Sequence, residues 1–193
     1  MGALRLFFCC CGSGLEPLFF LEVIMKKRPA RALAHAAVLA ALYVVLTWLQ
    51  NMIFPNSASA AVQFRVAEVL CIFALFTPAA ISGLTVGCIL ANLCTAGVLP
   101  LDIVIGSLAT LLATGSMWLL RNRTMKGYPL FSLLMPALFN SLLVGWELTV
   151  YIGGAFWLNA LCVGAGEVAV LLTLGTILFY AVKARGLDRR FFG

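Results

Sequence analysis

The feature that most constrains this chain is a succession of apolar runs almost free of charge. Outside the cationic stretch at 121–126, positions 32–182 hold five charged side chains: Arg65, Glu68, Asp102, Glu147 and Glu167. A helix needs about 20 apolar residues to cross a bilayer, and runs of that length recur. We expect six spans, at about 32–51, 62–77, 79–96, 101–120, 130–152 and 156–182. The stretch 66–96 is too long for one ordinary span, and Pro78 divides it by interrupting the helical hydrogen-bond ladder. Pro136 is expected to kink the fifth span. Hydrophobic residues make up 63% of the chain and charged residues 10%, against about 45–50% and 25% in soluble proteins. That composition excludes a water-soluble enzyme, a disordered chain and a nucleic-acid-binding domain. The expected fold class is an all-α membrane protein, a six-transmembrane-helix bundle.

The net charge of +6 is an orientation signal. Lys26, Lys27, Arg28 and Arg31 precede the first span, Arg121, Arg123 and Lys126 follow the fourth, and Lys183, Arg185, Arg189 and Arg190 follow the last. Six spans place all three clusters on one side, whereas five would oppose the two terminal clusters, against the positive-inside rule. Both termini and the 121–129 loop are therefore expected in the cytoplasm. The loops near 51–63, 97–100 and 153–156 contain no Lys or Arg and are expected outside. Residues 1–24 do not resemble the rest and fit neither a signal peptide nor a myristoylation site. The favoured reading is an upstream stretch before a true start at Met25, with 25–193 forming a single membrane domain. Cys9, Cys10 and Cys11 lie in that stretch. Cys71, Cys88, Cys94 and Cys162 stand singly in apolar runs, without metal spacing, and read as small apolar residues.

Charges inside a membrane are costly and usually functional. With this orientation, Gln63, Arg65 and Glu68 open the second span at its external end, and Asn92 lies near the external end of the third. Asp102 opens the fourth span. Trp146 and Glu147 lie just below the external end of the fifth, which also carries Asn140. Asn159 opens the sixth, with Glu167 deeper. The polar groups converge on the outer half of the bundle, as in a ligand pocket open to the outside. Plainer readings stand beside this one. Arg65 and Glu68, three residues apart, can simply pair. Asp102 can be a first-turn acid favoured by the helix dipole. Asn92 and Asn140 can be interhelical glue. Trp146, Tyr151, Phe156 and Trp157 can be an interfacial aromatic belt. Glu147 and Glu167 have no cation within a turn, and a functional role is favoured for both.

The first span carries Ala30, Ala32, Ala34, Ala36, Ala37, Ala40 and Ala41. Such a small-residue face either packs within the molecule or docks a partner subunit. No ATP-binding, metalloprotease or hydrolase motif is present. The sole histidine, His35, reads as interfacial. No cofactor, metal or nucleic-acid partner is expected.

Four stretches resemble one family. They are Val62-Gln63-Phe64-Arg65-Val66-Ala67-Glu68; Ile81-Ser82-Gly83-Leu84-Thr85-Val86-Gly87-Cys88 with Ala91-Asn92-Leu93; the run from Leu101-Asp102 through Gly106-Ser107 and Thr110 to Ala113; and Val163-Gly164-Ala165-Gly166-Glu167 ending in Leu174-Gly175. In this order they resemble the QueT family, substrate-binding S components of energy-coupling factor (ECF) transporters assigned to queuosine precursors. The resemblance runs from about residue 25 to 183. It implies a six-helix S component of the bacterial cytoplasmic membrane that captures a 7-deazaguanine from outside. The 7-cyano and 7-aminomethyl compounds and queuine are the expected ligands. It also implies partners, a transmembrane coupling subunit and two ATPases that hydrolyse ATP in place of this chain. S components of this type typically dock through an Ala-xxx-Ala pattern on the first helix, and Ala36/Ala40 and Ala37/Ala41 both fit. Glu68, Glu147 and Glu167 would then supply carboxylates to the ligand, with Arg65 holding Glu68. Asn92 or Asn140 would pair with the ring carbonyl, and Trp146 or Trp157 would stack on the ring. Two other functions fit the residues, an S component for another vitamin or purine-like nutrient and a stand-alone proton-coupled carrier.

Overall fold

In a computed structural model of the chain, the structure describes residues 29–54, 64–95, 100–125, 127–151 and 153–186. The 1–24 stretch and Gln63 lie outside the described residues. The elements are α1 (Pro29–Ile53), a 3-10 segment (Val66–Leu75), α2 (Ala79–Cys94), α3 (Pro100–Leu120), α4 (Leu130–Leu133), α5 (Met135–Tyr151) and α6 (Phe156–Val170). From α6 the chain continues through a π-helical turn (Leu171–Gly175) into α7 (Thr176–Ala184). Among the described residues the only β pairing is an isolated bridge between Met125 and Tyr128. Among the described residues, four helical stretches are long and apolar enough to cross a membrane: Ala30–Ile53, Leu101–Leu120, Leu130–Tyr151 and Phe156–Ala184. The 3-10 segment and α2 are shorter apolar helices.

The expected span at 62–77 takes an unusual helical form. Its described part is a ten-residue 3-10 helix, although such runs rarely exceed about four residues. α1 clamps its start: Gln50 Oε1 accepts the Val66 N–H at 2.8 Å, and Gln50 Nε2 donates to the Phe64 carbonyl. Pro78 does divide the long apolar stretch. The chain turns there, and Thr77 Oγ1 accepts the N–H of Ala79 at 3.3 Å. Pro136 sits in the first turn of α5, just past the break at Leu134, where a missing N–H is tolerated. Between α5 and α6 the chain reverses through Gly153 and Gly154, at φ 83° and 88°, a region open to glycine at little cost.

Two seams of small residues hold the helices together. A Cβ on Gly83 would lie 2.6 Å from the carbonyl oxygen of Ala36, and one on Gly87 would lie 3.0 Å from Cα of Ala40. On the other side of the molecule, a Cβ on Gly145 would lie 2.7 Å from Cα of Ala160, and one on Gly164 would lie 3.2 Å from Cβ of Ser141. In each seam, residues four apart on one helix meet residues four apart on the next. Lipid offers no hydrophobic drive between helices, so close backbone approach of this kind supplies the attraction. α3 lies between the seams, packed on both α2 and α5. Ala36 and Ala40, one of the two expected docking registers, are therefore used inside the molecule, whereas Ala37 and Ala41 are exposed.

Polarity is inverted relative to a soluble globule. Glu68, Asn140, Glu147 and Glu167 are buried, while Leu33, Trp157, Leu161 and Ile177 are at least 66% exposed. Apolar side chains face outward all around because the surroundings are lipid. The chain is an all-α, multi-pass membrane protein. At the end of the bundle where α3 stops, Arg121 lies 3.6 Å over the Trp118 ring, and Lys183 lies 4.7 Å over Phe179 near the end of α7. Cations stacked on aromatics suit a membrane boundary.

Candidate binding site

Five buried or half-buried charged groups meet at the opposite end of α3. Glu68 comes from the 3-10 segment and is fully buried. Its Oε1 accepts the Tyr43 hydroxyl at 2.7 Å and the Thr110 hydroxyl at 3.3 Å, and its Oε2 accepts the Cys71 thiol at 3.0 Å. α1, α3 and the 3-10 segment thus converge on one carboxylate. Arg65, one turn earlier, lies within electrostatic reach of Glu68 and Glu167 and of Glu147. The expected direct Arg65–Glu68 pairing is replaced by these neutral donors, and Arg65 serves all three glutamates at longer range. Gly106 makes room for the arginine: a Cβ there would lie 3.1 Å from Asn92 Nδ2 and 3.4 Å from Arg65 Nη2.

α5 and α6 contribute the rest. Asn140 Nδ2 donates to Glu167 Oε1 at 2.7 Å. Glu147 lies two turns above Asn140 on α5, about 10 Å along the axis, and its carboxyl is within hydrogen-bonding reach of Asp102. Asn92 closes the wall by donating to the Asp102 backbone carbonyl at 2.9 Å.

Among the described residues, four buried polar atoms at this centre have no hydrogen-bond partner: Arg65 Nη1, Asn140 Oδ1, Glu147 Oε1 and Glu167 Oε2. Buried polar groups are nearly always satisfied, and each orphan costs about 1–3 kcal/mol. Together these four, one donor and three acceptors, mark this centre as the candidate site.

Of the residues expected from sequence, Arg65, Glu68, Asn92, Asp102, Asn140, Glu147 and Glu167 are brought together. Three stand elsewhere. Trp146 is 48% exposed, turned outward because its neighbour Glu147 points in. Asn159 donates to Thr149 Oγ1 and the Gly153 carbonyl, each at 3.1 Å, and so ties the α5–α6 turn. Trp157 is also turned outward. Sequence reasoning missed Tyr43, Cys71, Gly106 and Thr110. Gly106 and Thr110 lie within the Leu101–Ala113 run that carried the family resemblance, which was their one signal.

The family model described as QueT transporter matches residues 33–184. This chain belongs to the QueT family. The QueT match covers every described residue of the polar centre. The chain is also 32% identical over 104 residues to "Queuosine precursor transporter QueT" of Lactococcus lactis subsp. cremoris. That similarity covers 54% of this chain and 59% of the relative, less than two thirds of the relative's length. No solved structure matches this QueT chain.

Proposed function

We propose that this chain is the substrate-binding S component of an ECF-type importer and captures a queuosine precursor, a 7-deazaguanine, from outside the cell. The observation that carries this reading is the set of orphaned atoms. A deazaguanine presents adjacent N–H donors beside a ring carbonyl. The three free acceptors on Asn140, Glu147 and Glu167 suit the donors, and Arg65 Nη1 suits the carbonyl. The name of the Lactococcus relative supports the same ligand class. The 3-10 segment and α2 act as the second and third of six membrane passages. The site then opens outward, at the end opposite the cationic residues Arg121 and Lys183, with both termini in the cytoplasm.

Calorimetry of the purified chain against 7-deazaguanines tests the reading. Glu167→Gln is expected to weaken binding by about 1.5–3 kcal/mol, the loss of a charge-assisted bond. Unaltered affinity in that variant would remove Glu167 from the site, and no binding by the wild-type chain would overturn the function.

Coupling to ATP hydrolysis lies in the partners, a transmembrane coupling subunit and two ATPases. The exposed Ala37/Ala41 edge of α1 is the docking register, since α2 occupies Ala36 and Ala40. Ala41→Trp is expected to keep ligand affinity and lose co-purification with the coupling subunit. Recovery of the intact complex with that variant would reject the docking edge.

A further inference from the structure

We infer that Tyr43 is a positioning residue of the binding site: its hydrogen bond to Glu68 anchors the turn that aims the Arg65 guanidinium at the ligand's ring carbonyl. This rests on the deazaguanine reading above and adds the residue that sets the aim.

α1 holds the chain around Arg65 at two points. Tyr43 and Gln50 are seven residues apart, so they share one face of the helix, two turns and about 10 Å apart. Both are buried. Gln50 grips the backbone on either side of Arg65, at the Phe64 carbonyl and the Val66 N–H. Tyr43 grips the next turn by donating its hydroxyl to Glu68 Oε1 at 2.7 Å. The Glu68 N–H in turn donates to the Arg65 carbonyl at 3.1 Å. Arg65 is thus fixed from the residue before it, the residue after it and the turn that follows.

Glu68 suits an anchor better than a ligand contact. It is fully buried, with donors on both carboxyl oxygens, and neither oxygen is among the orphaned atoms. Of its donors Tyr43 is the firmest. The Thr110 hydroxyl lies farther away, at 3.3 Å, and shares its single proton with the Gly106 carbonyl at 3.0 Å. The Cys71 thiol is a weak donor. Arg65 Nη1, by contrast, is buried without a partner, so no protein contact at that atom sets its direction. The backbone that carries it does. A guanidinium is a planar fork whose bonds weaken with misalignment, so a shift of the Arg65–Glu68 turn misdirects it.

The test is calorimetry on the purified full chain with two probes, 7-deazaguanine and its thiocarbonyl analogue, 7-deaza-6-thioguanine. The analogue keeps every N–H donor and puts a weakly accepting sulfur where Arg65 meets the carbonyl oxygen. The wild-type protein is expected to bind the oxo compound about tenfold more tightly than the thio compound. Tyr43→Phe keeps the ring and removes the hydroxyl. It should weaken the oxo compound about five- to tenfold and leave the thio compound within about twofold, bringing the ratio close to one. A hydroxyl that served stability alone would move both affinities together, and a ratio unchanged from wild type would overturn the positioning role. Equal affinities in the wild-type chain would also overturn it, while leaving the deazaguanine site standing. Binding of neither probe by the wild-type chain would overturn both. Should Tyr43→Phe fail to fold, Gln50→Met decides by the same ratio, because it releases Arg65 from the same face of α1.

Discussion

Replacing Arg65 with methionine is expected to destabilise the protein by about 3–5 kcal/mol, the usual result of removing one partner from a buried charge group. Against a total stability of about 5–15 kcal/mol, that is severe. The cause is specific. Arg65 is the cation within reach of Glu68, Glu147 and Glu167, and methionine keeps its bulk while removing its charge. Thermal unfolding in detergent measures the effect. Arg65→Lys should recover part of the lost stability, because it restores the charge without the planar fork of donors. A wild-type melting temperature for Arg65→Met would mean that the three glutamates do not depend on the arginine.

A comparable loss is expected at a position with no charge at all. Gly83→Leu should cost about 3 kcal/mol or more, at or beyond the upper end of overpacking effects. Its Cβ would fall 2.6 Å from the Ala36 carbonyl oxygen and 2.8 Å from Ala36 Cα. Both are backbone atoms, so no side chain can swing aside and α1 must part from α2. Gly115→Ala is the matched control, since nothing lies within 4 Å of its added Cβ. Melting of the two variants at the same temperature would show that α1 and α2 do not cross at Gly83.

The membrane-spanning stretches were legible because apolar length is a one-dimensional property. The stretches expected at 32–51, 101–120, 130–152 and 156–182 correspond to the four helical regions long enough to cross. The 3-10 form of Val66–Leu75 was not legible, because it depends on Gln50 of α1 holding the Phe64–Val66 backbone, a contact across 14 to 16 positions. The carboxylates of the site were legible because a charge in an apolar run stands out. Tyr43 and Thr110 were not, since such residues are common in spans and α1 is apolar on every side. What sequence lacked was rotation about each helix axis. Successive residues are separated by about 100°, so Trp146 and Glu147 share a depth yet point apart. The same rotation separates Ala36, packed against α2, from the exposed Ala37.

The two glycine seams have a mechanical consequence. Where backbone meets backbone there is no side chain to change rotamer, so each seam makes its pair of helices behave as one stiff plank. α1 and α2 form one plank, with the 3-10 segment packed against both, and α5 and α6 form the other. Arg65 belongs with the first, while Asn140, Glu147 and Glu167 belong to the second. The unpaired donor and the unpaired acceptors therefore face each other across the joint that α3 spans. On the proposed function, a ligand bound by both sets would act as a clasp between planks.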